Sequence, residues 1–232
     1  MHDLMAETER ARRFQDRYEA GRLLAEELRD YAGRGDVLVV ALPRGGVPVG
    51  YEVARVLRAP LDAMQVRKLG VPGHEELAMG AIATGDVCVL NRGLMRELGI
   101  SRDELEGALA TAREELHRRE LAYRGDRPMP PLAGQTVILV DDGLATGATM
   151  VAAVTALDQH DVARIVVAVP VASRESVQAL VDAGRTVVAL LIPEPFIGVG
   201  RWYLDFTPTS DEEVLGLLEA AWSRTLASSA RP

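Results

Sequence analysis

Cysteine is nearly missing from this 232-residue chain, where Cys88 stands alone. No internal disulfide can form, and no cysteine-rich zinc site can be built. Lysine is nearly missing as well: of 26 basic residues only Lys68 is a lysine, and the other 25 are arginine. Positive charge is in deficit, 26 basic residues against 34 acidic ones, for a formal net charge of −8. That balance argues against a protein whose main task is to grip nucleic-acid backbone, which needs a basic face. Long apolar runs are absent too. The longest, Ile165 to Ala172, falls far short of the roughly 18 residues a transmembrane helix needs. Met1 to Arg13 is charged and has no apolar core, so it does not read as a signal peptide. The expectation is a soluble cytoplasmic protein with neither a nucleic-acid nor a membrane partner.

What is present is a globular composition, 48% apolar and 26% charged, enough to bury a sizeable core. The first thirty residues read as a helix carrying Phe14, Tyr18, Leu24, Leu28 and Tyr31, stopped by Gly33 and Gly35. Asp36 to Leu42 has the length and composition of a buried parallel strand. Val47 to Arg58 reads as the helix after it, and Leu61 to Val66 as a second strand. Gly70 to Glu76 reads as a loop, followed by strands at Leu77 to Ala83 and Asp86 to Leu90. Ser101 and Glu104 form a capping box for a helix with Leu105, Leu109, Ala112 and Leu116 on one face. After a proline-rich connection from Gly125 to Gln135 come strands at Thr136 to Val140, Ile165 to Val169 and Thr186 to Ile192. Helices are expected after Gly147 and from about Ser173. Segment 193–209 is irregular and aromatic, and Ser210 with Glu213 marks a last helix bearing Val214, Leu218, Ala221 and Trp222. Strands alternating with helices predict an α/β fold, a mostly parallel sheet flanked by helices.

The strongest motif is Val137 to Thr149, VILVDDGLATGAT. A buried strand ends on two adjacent carboxylates, Asp141 and Asp142. Gly143, Leu144, Ala145, Thr146, Gly147, Ala148 and Thr149 then turn into a helix. A helix N-terminus offers free N–H groups and a positive dipole end to a phosphate. Gly147 lets the backbone come close to it. Two carboxylates would repel that phosphate, but they accept hydrogen bonds from vicinal hydroxyls. A phosphate beside a diol describes a ribose 5-phosphate. The turn is not a Walker A loop, because no Gly-Lys-Ser/Thr follows.

This motif resembles the signature with which the type I phosphoribosyltransferases bind phosphoribosyl pyrophosphate (PRPP). The closest pattern is the branch with PRGG and RKLG loops and an aromatic hood. The resemblance covers most of residues 36–206 in order, and it implies a Rossmann-like core with a small hood. It implies one domain over 1–232, with the core at about 36–192 and the hood at about 193–209 with the terminal helices. Arg44, Gly45 and Gly46, after the first core strand, stand where the family holds pyrophosphate, in a loop that often carries a non-proline cis peptide. Val66 to Leu77 stands where the family has a mobile loop. It puts Arg67 and the lone Lys68 at the pyrophosphate, with His74, Glu75 and Glu76 nearby. Phe196, Trp202, Tyr203 and Phe206 stand in the hood, either stacking on an acceptor base or docking the last helix, and Asp205 stands where it can bond a base edge.

The implied reaction moves ribose 5-phosphate from PRPP to a nitrogen heterocycle and releases pyrophosphate. It needs positioning and a charge clamp more than covalent help. Residues 143–149 take the 5-phosphate, and Asp141 and Asp142 the ribose hydroxyls. The catalytic set is Arg44, Lys68 and Asp142, the last helping the acceptor lose a proton. The family's Mg²⁺ would lie at Asp141 and Asp142, directly or through water, and its members make a homodimer the expected assembly. Two other readings stay open: a PRPP-binding sensor or regulator on the same fold, and a phosphatase with Asp141 as nucleophile. The second lacks the further strand-end acids it would need.

Overall fold

The computed structural model describes residues 13–85, 87–125 and 127–229. In chain order its elements begin with α1 (Arg17–Glu27), β1 (Val37–Ala41), α2 (Gly46–Leu57), β2 (Leu61–Ala63), β3 (Val66–Val71), β4 (His74–Ala83) and β5 (Val87–Leu90). They continue with α3 (Arg92–Glu97), α4 (Arg102–Arg124), β6 (Thr136–Val140), α5 (Ala148–Leu157), β7 (Arg164–Val171), α6 (Arg174–Asp182), β8 (Thr186–Leu191) and α7 (Asp211–Ser229).

Five strands form a wholly parallel sheet in the order β2-β1-β6-β7-β8. β1 and β6 are apolar at nearly every position because both faces of the sheet are covered, so a polar side chain on either strand would be buried without water. Val37, Val39 and Ala41 join Ile138 and Val140 in a core shared with Leu24 of α1, Val53 and Leu57 of α2, and Leu218 of α7. The alternate residues Leu38, Val40, Val137, Leu139 and Val167 turn to the other face, against Met150, Val154 and Leu157 of α5 and Leu180 of α6. Each fully buried Leu or Ile contributes roughly 1.5–3 kcal/mol by leaving water. The layered α/β architecture expected from the alternation of elements is the observed one. The C-terminal ends of β1 and β6 lie side by side, with Ala41 paired to Val140. Ligands of open parallel sheets bind at that edge.

Several expectations need correction. The N-terminal helix begins at Arg17, capped by the Asp16 side chain. Residues 1–12 of the expected thirty-residue helix lie outside the described residues, and Phe14 is not helical but bridges Tyr203. The span Leu61 to Val66 is not one strand: β2 ends at Ala63 and β3 starts at Val66. The expected loop over Gly70 to Glu76 is mostly strand. β3 and β4 pair antiparallel from Val66↔Ala83 to Val71↔His74, around a turn at Pro72 and Gly73. The place of the mobile loop is therefore taken by a hairpin, extended by β5 into a second, three-stranded sheet. It rests on α4 through Leu69, Met79, Ile82, Ala112 and Leu116. The Ser101–Glu104 capping box is present as expected. At the last helix the Ser210 hydroxyl accepts from the Glu213 N–H, while the Glu213 carboxylate accepts from the Tyr18 hydroxyl. Among the described residues no helix is long and apolar enough to cross a membrane.

Candidate functional site

The turn after β6 is held from below. The Leu144 N–H donates to the Val171 carbonyl, and the Ser173 N–H to the Leu144 carbonyl, both at 2.8 Å. The Ala145 carbonyl accepts from the hydroxyls of Ser173 at 2.7 Å and Ser176 at 2.6 Å, which ties it back toward α6. Gly147 takes φ +73°, and no side chain caps the first turn of α5. The opening N–H groups of that helix have no helical partner, and the residues around them, Ala145, Thr146 and Ala148, are exposed. Uncapped N–H groups at the positive end of a helix are the arrangement an anion would need.

The loop after β1 packs directly on the acid pair. The peptide between Pro43 and Arg44 is cis. A Cβ at Gly45 would fall 2.0 Å from Asp142 Oδ2, and one at Gly46 would fall 2.8 Å from the Val140 carbonyl oxygen. Both positions require glycine for this approach. The structure thus brings Gly45, Gly46, Asp141 and Asp142 into contact. Arg44 leans outward instead, half-exposed, with its Nη1 3.8 Å from Asp211 Oδ1. The Tyr123 hydroxyl donates to that same carboxylate, and burial together with this acid pushes it up to about 12.

Asp141 Oδ1 accepts from the Asp142 N–H at 2.8 Å. Burial and the adjacent Asp142 carboxylate push Asp141 well above the ordinary carboxylate range. Burial raises Asp142 too, partly offset by Arg17. Arg17, which sequence reasoning missed, holds this carboxylate. Its Nε donates to Asp142 Oδ2 at 2.8 Å, and its Nη1 to the Thr207 carbonyl at 2.8 Å. Its guanidinium lies 3.9 Å from the centroid of the Phe206 ring. No motif surrounds it, and one arginine among 25 carries no signal of its own. A cleft of about 150 Å³ adjoins it, lined by Asp16, Tyr18, Pro48, Thr207 and Glu213 among others.

The hood aromatics divide. Trp202 and Tyr203 are buried with Phe14, Ala20 and Val171, so they dock the hood onto the body. The Tyr203 hydroxyl donates to the Asp142 carbonyl at 2.6 Å. Phe196 and Phe206 are half-buried against the same cluster, and Asp205 bonds Thr207. The hairpin residues bond elsewhere than to the acid pair. Arg67 donates to Glu115 of α4 at 3.1 Å, in a cluster with Arg118 and Arg119. Lys68, adjacent on β3, is exposed. His74 is exposed at the start of β4, and the side chains of Glu75 and Glu76 lie outside the described residues.

A family model described as a phosphoribosyl transferase domain matches residues 13–192. A curated protein of Mycobacterium tuberculosis strain H37Rv, provisionally named a phosphoribosyl transferase, is 43% identical over 208 residues, 90% of this chain and 47% of that protein. The chain thus spans about half the length of this curated relative. Among solved structures, TT1426 from Thermus thermophilus is similar at 46% identity and a TM-score of 0.79, covering 89% of this chain and 97% of that one. The AQ2163 protein from Aquifex aeolicus shares the fold at 14% identity and a TM-score of 0.50, covering 95% of this chain and 96% of that one.

Proposed function

The chain belongs to the phosphoribosyl transferase domain family, and from that premise we propose that it transfers ribose 5-phosphate from PRPP to a nitrogen heterocycle, releasing pyrophosphate. The observation that carries this reading is the contact of two loops at one sheet edge, a glycine loop after β1 closed onto an acid pair and an anion nest after β6. In this reading residues 143–149 take the 5-phosphate. Asp141 and Asp142 take the ribose hydroxyls, and the 43–46 loop takes the leaving pyrophosphate. Fixed donors and charges where negative charge builds on the leaving group are the main catalytic resource such a site can offer. The acceptor would enter from the hood side, where Phe196 and Phe206 are only half-buried. We place the reaction in the cytoplasm, in a homodimer.

The donor set fits Mg²⁺: two hard carboxylates, and no cluster of three or more His, Cys, Asp or Glu among the described residues. Such a site suits an ion that brings most of its ligands from phosphate and water. Asp141 and Asp142 would hold it, and its charge would favour departure of the pyrophosphate. The second reading is a PRPP sensor without turnover. It draws support from Arg67, whose guanidinium is committed to Glu115 rather than to the acid pair.

Calorimetric titration with PRPP, with and without Mg²⁺, tests the proposal. Tight Mg²⁺-dependent binding is expected. The Asp141→Asn, Asp142→Asn double variant should bind about 100-fold more weakly, two charged hydrogen bonds contributing roughly 1.5 kcal/mol each. An unchanged affinity in that variant would sink the assignment. Release of pyrophosphate in a screen of heterocyclic acceptors separates enzyme from sensor.

A further inference from the structure

Arg17 joins three parts of the molecule that are remote in sequence. The residue itself is only 8% exposed, so its guanidinium has left most of its water behind. That desolvation is offset by the Asp142 carboxylate, the Thr207 carbonyl and the face of Phe206. The arrangement is also selective about which carboxylate oxygen it uses. Oδ2 of Asp142 accepts from Arg17, and among the described residues no other residue donates to Oδ1. Arg17 therefore leaves a single oxygen of Asp142 available. The backbone of the same residue is tied to the hood by the Tyr203 hydroxyl. Side chain and main chain of Asp142 are thus both gripped by hood elements, while the phosphate nest a few residues on is held by α6. The two halves of the ligand site thus have different main supports, although Gly143 at the start of the nest also lies close against Val199 of the hood.

We propose that Arg17 is the positioning residue of this site: it fixes the Asp142 carboxylate with Oδ1 free to accept from a ribose hydroxyl, and it couples the seating of the hood to the setting of that carboxylate. The inference rests on the ribose-phosphate reading above and adds to it a residue outside every motif. It follows that removal of Arg17 harms recognition of the sugar and spares recognition of the phosphate.

Calorimetric titration of the full chain with two probes separates these. Inorganic phosphate reads the anion subsites, the 143–149 nest and the 43–46 loop, without the carboxylates, and ribose 5-phosphate reads the nest together with the carboxylates. Wild-type protein should bind both, ribose 5-phosphate more tightly. Arg17→Gln should weaken ribose 5-phosphate about tenfold, the effect of one charge-assisted hydrogen bond, and leave phosphate within about twofold. Arg17→Lys keeps the charge and loses the fork, so it should fall between. In an Asp142→Asn background, Arg17→Gln should add nothing further. Equal loss for both probes, no loss for either, or an additive loss in the Asp142→Asn background would each overturn the positioning role while leaving the ribose-phosphate reading intact. Wild-type protein that binds neither probe would overturn that reading, and the role of Arg17 with it. If Arg17→Gln does not fold, Arg17→Lys completes the same cycle with Asp142→Asn.

Discussion

Replacing Gly46 by alanine tests whether the two loops are as close as described. The added Cβ would meet the Val140 carbonyl oxygen at 2.8 Å and Asp141 Cα at 2.9 Å. Both are backbone atoms of a central strand's end, and neither can swing aside as a side chain would. In an open helical position the same substitution stabilises by roughly 0.5–1 kcal/mol, because glycine loses more backbone entropy on folding. Gly107, within α4, is such a position, with nothing inside 4 Å of an added methyl group. Overpacking at a rigid contact costs roughly 2–3 kcal/mol. Setting the intrinsic gain against it leaves Gly46→Ala destabilised by about 1–2 kcal/mol. For a domain of this size that is a fall in melting temperature of about 2–8 °C, against a rise of about 1–4 °C for Gly107→Ala. Thermal melts followed by far-UV circular dichroism read both variants side by side. Two glycine-to-alanine changes of opposite sign are expected. Equal melting temperatures for the two variants would refute the close approach, and with it the cross-bracing of the acid pair.

Two further outcomes concern buried carboxylates. Asp141 is raised above its unfolded value by burial and by Asp142, so the stability linked to its protonated form is complete below the ordinary carboxylate range and is lost as pH rises through the raised folded value. Asp141→Asn should therefore melt above wild type at pH 8, with the advantage shrinking toward pH 5; a constant difference across that range would refute the linkage. Asp62 and Arg124 form an ion pair at 2.9 Å whose side chains are 7% and 12% exposed. Asp62→Ala strands the guanidinium and should cost about 3 kcal/mol, or roughly 6–12 °C. A loss below about 1 kcal/mol in denaturant titration would show the pair to be no better than a surface one.

The parallel sheet was legible because each of its long strands is an apolar run with no polar break, a pattern that only double-sided burial sustains. The nest and the acid pair were legible because glycine, hydroxyl and carboxylate recur there at fixed steps. The hairpin was not. Pro72 and Gly73 are turn residues, and with Gly70 and two acids beside them the stretch has the composition of a loop, although tertiary packing on Leu69 and Met79 makes it strand. Six-residue α3 was passed over because so short a helix has little periodicity to show. The hood aromatics were visible, but burial distinguishes a docking ring from a stacking one, and burial is not written in spacing. Arg17 escaped for a related reason: its partners lie 125 and 190 residues away.

Those separations bear on the order in which a ribosome delivers the parts. The N-terminal segment is stitched to the hood by Phe14 N–H to Trp202 carbonyl, Leu204 N–H to Phe14 carbonyl and Asp205 N–H to Gln15 carbonyl bonds. At the usual roughly 5–20 residues per second of synthesis, Arg17 emerges about ten seconds or more before Thr207 exists. The nascent chain can pair β1 with β6 and form the turn after β6 while its earliest residues still lack the hood segment they bond to. The setting of the Asp142 carboxylate is thus completed only at the end of translation, when Thr207 and Phe206 close on Arg17, and under the proposed function sugar recognition would be the last property the chain acquires.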